Sequence, residues 1–231
     1  MKTTVALAIL SSTPCQALAC ITCNKQVRDG IYNSTFFPNL LTMLSAFIVL
    51  TVAVAILSAV TARKHQSRLE KNADLLTPVP LTTASMVLGI GLGGFLDGII
   101  LHQILQWHEM LSFRIPTTDI VGKSVNMFWD GIFHSFCLVV ALIGVILMWK
   151  LLRRKDIDHS GRLLSGGLLL GWGLFNVIEG MIDHHILKLH NVFELAAHHG
   201  PANYIFLGIS VILIIAGFAI VKSDRKHIQT A

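Results

Sequence analysis

One segment of the chain, residues 83–107, reads TASMVLGIGLGGFLDGIILHQILQW and indicates the class of fold. A helix that crosses a bilayer needs about 20 mostly apolar residues, because inside lipid every backbone amide must be paired within its own helix. Four other stretches meet the same requirement. The five predicted spans are 39–61, 83–107, 127–152, 163–185 and 204–221. The sequence therefore predicts an all-α integral membrane protein built as a five-helix transmembrane bundle.

Composition supports this class. Of the 231 residues, 53% are hydrophobic and 13% are charged, whereas soluble domains have about 45–50% and about 25%. The net charge of +5 comes from short basic clusters between the apolar runs, with no basic stripe along one face. This distribution argues against nucleic acid as a partner and favours the lipid bilayer.

The basic clusters also predict orientation. Lys and Arg concentrate after the first span, between the third and fourth, and after the fifth. Because cytoplasmic loops carry an excess of these residues, segments 63–82, 153–162 and 222–231 are predicted to be cytoplasmic. The loops 108–126 and 186–203 are then extracytoplasmic, the amino terminus lies outside and the carboxyl terminus inside.

The segment 1–19 resembles a signal peptide, with Lys2, a short apolar stretch and small residues before Cys20. The alternative is a lipobox, in which Cys20 would carry lipid. Cys20 and Cys23 form a C-I-T-C motif that can be a disulfide, a metal clip or two unrelated thiols. The predicted order is then a signal peptide (1–19), an extracytoplasmic segment (20–38), a first span (39–62), a linker (63–82), a four-helix domain (83–221) and a tail (222–231).

The second and fourth spans match each other when Asp97 is aligned with Glu179, a superposition that we call the repeat alignment. Apolar matches are common by chance in membrane proteins, but here an acid, a glycine and two histidines coincide. The matched residues are Asp97, Gly98, His102 and His108 with Glu179, Gly180, His184 and His190. We interpret this match as a parallel internal repeat about an axis along the membrane normal.

Four carboxylates lie within predicted spans, with no Lys or Arg in the outer halves of those helices. Each charged carboxylate costs about 2.5–3.5 kcal/mol at the bilayer centre unless it is neutralised. Protons, imidazolium groups or bound cations would do this, and histidines beside acids match two-metal sites in helical bundles. The predicted metal ligands are Asp97, His102, Asp130, His134, Glu179, Asp183 and His184. The alternatives are a buried hydrogen-bond network, a proton relay and haem ligation.

Two of the acids are followed by a histidine about three helical turns later in the chain. Asp97 and His108, like Glu179 and His190, would therefore share a helix face and lie about 16 Å apart at about 1.5 Å per residue. We expect these outer histidines to support the ligands from a distance. The predicted supporting residues are His108, Glu109, Asn176, His185 and His190.

Three motifs resemble a bacterial family of multi-pass membrane proteins, the domain of unknown function 2243. They are GFLDGIILHQILQWH (94–108), DGIFH (130–134) and GWGLFNVIEGMIDHHILKLH (171–190), and the resemblance covers residues 81–221. It implies a bacterial inner membrane protein and points to copper and to components of respiratory oxidase assembly as partners. The family often has paired histidines where this chain has His108–Glu109 and His190–Asn191, which makes these outer positions look less essential.

The function predicted is a metal-binding membrane protein, with copper, iron or zinc at a site open to the periplasm. It would serve metal handling or the assembly of a respiratory metalloenzyme. The alternatives are a membrane oxidoreductase dependent on metal or haem, with Glu179 or Asp183 as proton acceptor, and a proton or ion transporter. Transport is disfavoured because the inner halves of the second and fourth spans offer mainly Gly, Ser and Thr.

Overall fold

A computed structural model describes residues 23–69, 76–195, 198 and 200–228 of the protein. The predicted signal peptide and Cys20 lie outside the described residues, so the leader and the C-I-T-C clip stay predictions. The described helices are α1 (Lys25–Ile31), α2 (Phe36–Leu69), α3 (Val79–Leu96), α4 (Ile120–Leu151), α5 (Gly161–Glu179) and α6 (Gly200–Ile228). Two π-helical segments follow α3 and α5, namely π1 (Asp97–Ile104) and π2 (Gly180–Ile186).

Five of the helical stretches are long and apolar enough to cross a membrane: Phe36–Lys64, Val79–Ile104, Ile120–Leu151, Gly161–Ile186 and Gly200–Asp224. The prediction of an all-α bundle with five spans is confirmed. Many large apolar side chains on the outside of the bundle are exposed, as lipid-facing residues must be. Examples are Ile48, Ile56, Ile146, Ile212 and Ile215.

The third span begins at Ile120, earlier than its predicted start at Met127. Asp119 caps α4 by accepting a hydrogen bond from the Gly122 N–H at 2.7 Å. The first turns of α4 bury the polar residues Ser124 and Asn126, and such residues do not register as part of an apolar stretch. The helix is therefore longer than the apolar run that revealed it.

Helix α3 contacts α4 and α5, and α5 also contacts α6. Glycines bring α3 and α5 to backbone contact, because a Cβ added at Gly89 would collide with the Leu168 carbonyl and one at Gly171 with the Met86 carbonyl. This is the close approach that small residues allow between membrane helices. It places the polar residues that follow each helix next to one another.

An aromatic cluster fills the bundle beneath these polar residues. Phe133 and Phe175 are fully buried with ring centroids 6.1 Å apart, and the ring of Phe47 lies 5.8 Å from that of Phe133. The short helix α1 packs Val27 and Ile31 into the same core, beside α4. The polar site thus lies directly above apolar rings, and we call Phe47, Phe133 and Phe175 the aromatic floor of the site.

Candidate metal centre

The π-helical segments bring an acid and a histidine together in each of two places. The Asp97 Oδ2 to His102 Nε2 distance is 3.2 Å, and the Glu179 Oε1 to His184 Nε2 distance is 3.1 Å. In each pair the histidine is the fifth residue after the acid. In a π-helix the hydrogen bonds run from i to i+5, so residues at this spacing lie over one another, whereas in an α-helix they would point to different sides.

A chain reversal follows each π-helical segment. Gln106 and Lys188 take left-handed backbone conformations, with φ of 50° and 48°, and the chain turns back over the bundle. His190 therefore lies 3.2 Å from Glu179, measured from Nε2 to Oε1. The expected separation of about 16 Å along a straight helix is wrong, because the helix ends at Ile186 before it reaches His190.

Four buried imidazoles meet above the aromatic floor. The rings of His108 and His190 stack, with centroids 4.6 Å apart and planes 3° from parallel. The ring of His102 lies 4.3 Å from that of His108, and the ring of His184 lies 4.7 Å from that of His190. We call His102, His108, His184 and His190 the histidine cluster; each is at most 5% exposed.

Hydrogen bonds fix the orientation of three of these rings. His108 Nδ1–H donates to the Val192 carbonyl at 2.8 Å, and His190 Nδ1–H donates to the Met110 carbonyl at 3.1 Å. His102 Nδ1–H donates to Asp130 Oδ1 at 3.0 Å. When Nδ1 carries the donated proton, Nε2 keeps a lone pair, which is how hydrogen-bond acceptors behind a ring prepare histidines for metal binding.

Two groups of side chains place ligand atoms within 4.8 Å of one another: His102 with His108 and His190, and Glu179 with His184 and His190. His190 belongs to both. Two ligands bound tetrahedrally to zinc at about 2.0–2.1 Å lie about 3.3–3.4 Å apart. The contacts of Glu179 Oε1 with His184 Nε2 and His190 Nε2, at 3.1 and 3.2 Å, come close to that separation.

Several buried polar atoms in this region have no hydrogen-bond partner. They include His108 Nε2, Glu179 Oε2 and both carboxylate oxygens of Asp183. An unsatisfied buried polar group costs about 1–3 kcal/mol, and more if it is charged. Atoms of this kind around a histidine cluster are what a cation would satisfy.

The outer histidines are suited to binding as neutral ligands. Burial lowers the pKa of His108 well below its ordinary value, and the neighbouring His102, His190 and His184 lower it further. Burial also lowers the pKa of His190, despite its hydrogen bond to Glu179. Both imidazoles are therefore uncharged at neutral pH and keep a lone pair for a metal.

Comparison with known proteins identifies the family. The family of predicted membrane proteins known as the domain of unknown function 2243 matches residues 84–224. The chain belongs to this family. The resemblance drawn from the three motifs is thereby confirmed. No curated protein and no solved structure matches the chain.

The structure divides the seven predicted ligands. His102, His184 and Glu179 lie in the two metal-capable groups, and Asp97 contacts His102. Asp130 lies behind the cluster, where it accepts from His102 and from the Met110 N–H. Its oxygens orient a ring and a loop, so we describe it as a supporting residue.

His134 and Asp183 also differ from the prediction. His134 Nδ1–H donates to the Asp130 carbonyl, its ring contacts Gly98, and it belongs to neither group of ligand atoms. Asp183 is 1% exposed and lies within electrostatic range of Glu179 and Asp97. It supplies negative charge beside the cluster without belonging to either group.

The predicted supporting residues are rearranged as well. His108 and His190 lie inside the histidine cluster, although the sequence analysis placed them outside the ligand set. Burial and the nearby Asp130 raise the pKa of Glu109 to about 7, and Glu109 lies 3.9 Å from Lys123. Asn176 is buried next to π2, and the ring of His185 packs against Tyr204 and belongs to neither group of ligand atoms.

Asn203 is a residue of the site that the sequence analysis missed. Its Oδ1 accepts from the Val192 N–H at 3.0 Å, as Asp130 accepts from the Met110 N–H at 2.9 Å. Asn203 thus holds the loop whose Val192 carbonyl orients His108. The signal is weak in sequence, because the helices that carry Asp130 and Asn203 do not match in the repeat alignment.

Other features recur in the repeat alignment. It pairs Gln106 with Lys188, and both residues have left-handed backbone conformations. It also pairs Met110 with Val192. The Met110 carbonyl accepts from His190, and the Val192 carbonyl accepts from His108. Each half supplies the carbonyl that holds the other half's histidine. An internal repeat would explain this exchange, and the duplication itself stays a prediction.

Proposed function

We propose that the protein binds a transition metal ion at the histidine cluster, on the extracytoplasmic side of a bacterial inner membrane. The ligands are His102, His108, His184, His190 and the carboxylate of Glu179, with Asp97 beside His102. The site serves metal handling or the assembly of a respiratory metalloenzyme. A single site takes ligands from both halves of the repeat alignment. One half is α3 with the segment that follows it, and the other half is α5 with the segment that follows it.

The proton arrangement around His190 carries this proposal. Its Nδ1 faces the Met110 carbonyl and its Nε2 faces the Glu179 carboxylate. The Met110 carbonyl and an ionised Glu179 are both acceptors, so the contact needs either a second proton, on Nε2 or on Glu179, or a cation between the two atoms. His102 lies in the same way between Asp130 and Asp97. A bound metal replaces both Nε2 protons and also gives the lone pair of His108 a partner.

The donor set limits the metal. Imidazole nitrogen and carboxylate oxygen suit zinc, iron and Cu²⁺, and neither group contains the sulfur that Cu⁺ prefers. The rings pack at 4.3–6.1 Å from one another, which leaves no gap between them for the flat macrocycle of haem. We therefore favour a metal ion over haem.

The alternative functions make different demands on the same region. An oxidoreductase would use the unpartnered Asp183 or Glu179 as its proton acceptor. Transport would need a polar route to the cytoplasmic side, but the buried rings of Phe47, Phe133 and Phe175 pack against one another below the cluster and offer no polar atom there. Binding without transport fits this arrangement better.

The test is zinc binding by purified variants. His190 belongs to both groups of ligands, so His190→Ala should remove most of the bound zinc, measured by elemental analysis after equilibrium dialysis. Loss of a hydrogen-bond partner behind a ligand already weakens metal sites by about 10–100-fold, and loss of the ligand itself should weaken binding at least as much. His159→Ala, at an exposed histidine outside the bundle core, is the control and should bind as the wild type does. Equal zinc in both variants would contradict the proposal.

A further inference from the structure

A groove opens beside His184, in the half of the histidine cluster that follows α5. Its lining includes His184, His185, Lys188, Asn191, Asn203 and Tyr204, and its volume is about 360 Å³. His184 belongs to the cluster, so the groove connects a ligand of the proposed site with the surface. The Nδ1 of His184 has no hydrogen-bond partner.

The matching surface of the other half is filled. In the repeat alignment, Gln103, Gln106 and Glu109 take the positions of His185, Lys188 and Asn191. Gln103 Nε2 donates to Asp130 Oδ2 at 3.4 Å, and Lys123 Nζ donates to Gln106 Oε1 at 2.8 Å. Lys123 also lies 3.9 Å from Glu109. These contacts tie the three positions to Asp130 and Lys123 of α4, whereas no side-chain hydrogen bond to another helix holds His185 or Lys188 among the described residues, so the two halves are unequal here.

His185 is placed to receive an ion in the groove. Its Nδ1–H donates to the Gly180 carbonyl at 2.9 Å, which leaves the Nε2 lone pair available. Its ring packs against Tyr204 at 5.5 Å. His185 is half-buried and directly precedes the last residue of π2, so it adjoins His184 along the chain without belonging to the cluster.

We propose that this groove is the port through which a divalent transition metal ion enters and leaves the histidine cluster, with His185 as the transfer ligand on its wall. The half that follows α3, where Gln103, Gln106 and Glu109 fill the matching surface, stays closed while the ion enters and leaves. The inference rests on the proposed metal binding, which it extends with a direction of entry. It predicts that the rate of loading and the amount bound depend on different residues.

The experiment blocks the groove reversibly. In a cysteine-free background, Lys188→Cys places a thiol at the rim, and Gln106→Cys places one at the matching left-handed position of the filled half. Each purified variant is treated with an uncharged aromatic methanethiosulfonate. Zinc loading of the metal-stripped protein is then followed over time by elemental analysis, before and after a thiol reductant removes the label.

We expect the label on Lys188→Cys to slow zinc loading several-fold, to leave the final zinc content unchanged, and to lose its effect on reduction. The label on Gln106→Cys should not change the rate. A second variant, His185→Gln, copies the residue of the filled half and should also load slowly to the same final content.

Three results would overturn the port. They are an unchanged rate in labelled Lys188→Cys, equal slowing by the label at both positions, and a normal loading rate in His185→Gln. These failures would leave the bound zinc intact and so would not affect the proposed function. If the wild-type protein binds no zinc at all, the proposed function fails and the port fails with it.

Discussion

Single side chains at the histidine cluster depend on contacts far apart in sequence. His108 donates to Val192, 84 residues away, and His190 donates to Met110, 80 residues away. Periodicity within one helix cannot reveal such partners, so the sequence ranked these two histidines as supporting residues. The matched acid, glycine and histidine positions in the two halves did point to the region where the structure brings buried acids and histidines together, because polar residues are rare in membrane helices and stand out.

The pH dependence of stability should depend on Glu109. Its pKa is raised to about 7 by burial and by Asp130, above the value of about 4.3 for an exposed glutamate. The folded state therefore favours the protonated form, and this contribution is complete below about pH 4.3 and lost as pH rises through about 7. We expect Glu109→Gln to be more thermostable than the wild type at pH 8 and similar at pH 5.

The measurement for Glu109 is the thermal unfolding midpoint in detergent at several pH values between 5 and 8. His159→Gln is the control, because His159 is exposed and remote from Asp130. A difference between wild type and Glu109→Gln that does not change with pH would contradict the explanation by burial of the charge.

At the scale of elements, the five spans follow from composition, and the π-helical segments do not. Apolar residues such as Leu105 and Trp107 continue the hydrophobic run past Ile104, where π1 ends, so a window of hydropathy extends the second span to residue 107. Neither residue type nor spacing marks the change from i→i+4 to i→i+5 hydrogen bonding. The contact of each acid with the histidine five positions later was therefore out of reach of sequence.

The contact between α3 and α5 gives a prediction about stability. A Cβ at Gly171 would collide with the Met86 carbonyl, whereas a Cβ at Gly208 in α6 meets no atom within 4 Å. Overpacking of a tight interface costs about 1–3 kcal/mol. Gly171→Ala should therefore lower the thermal unfolding midpoint in detergent, and Gly208→Ala should not. Equal midpoints would mean that the two helices do not pack this closely.

For the whole molecule, the distribution of Lys and Arg predicts which face of the membrane holds the histidine cluster. The loop 108–126 should lie outside and the loop 153–162 inside. In a cysteine-free background, a membrane-impermeant maleimide added to intact spheroplasts should label Thr118→Cys and not Lys155→Cys, both at exposed positions. The reverse pattern would place the cluster on the cytoplasmic face and remove the basis for a periplasmic role.

The central claim is that the buried acids and the histidine cluster share a cation. The most direct measurement is elemental analysis of the wild-type protein, expressed in bacteria and purified in detergent without chelator, together with its absorption spectrum. We predict a stoichiometric content of zinc, iron or copper and no haem band. A folded protein that holds no metal would contradict the account, and the four buried carboxylates and their histidines would then form a network neutralised by protons.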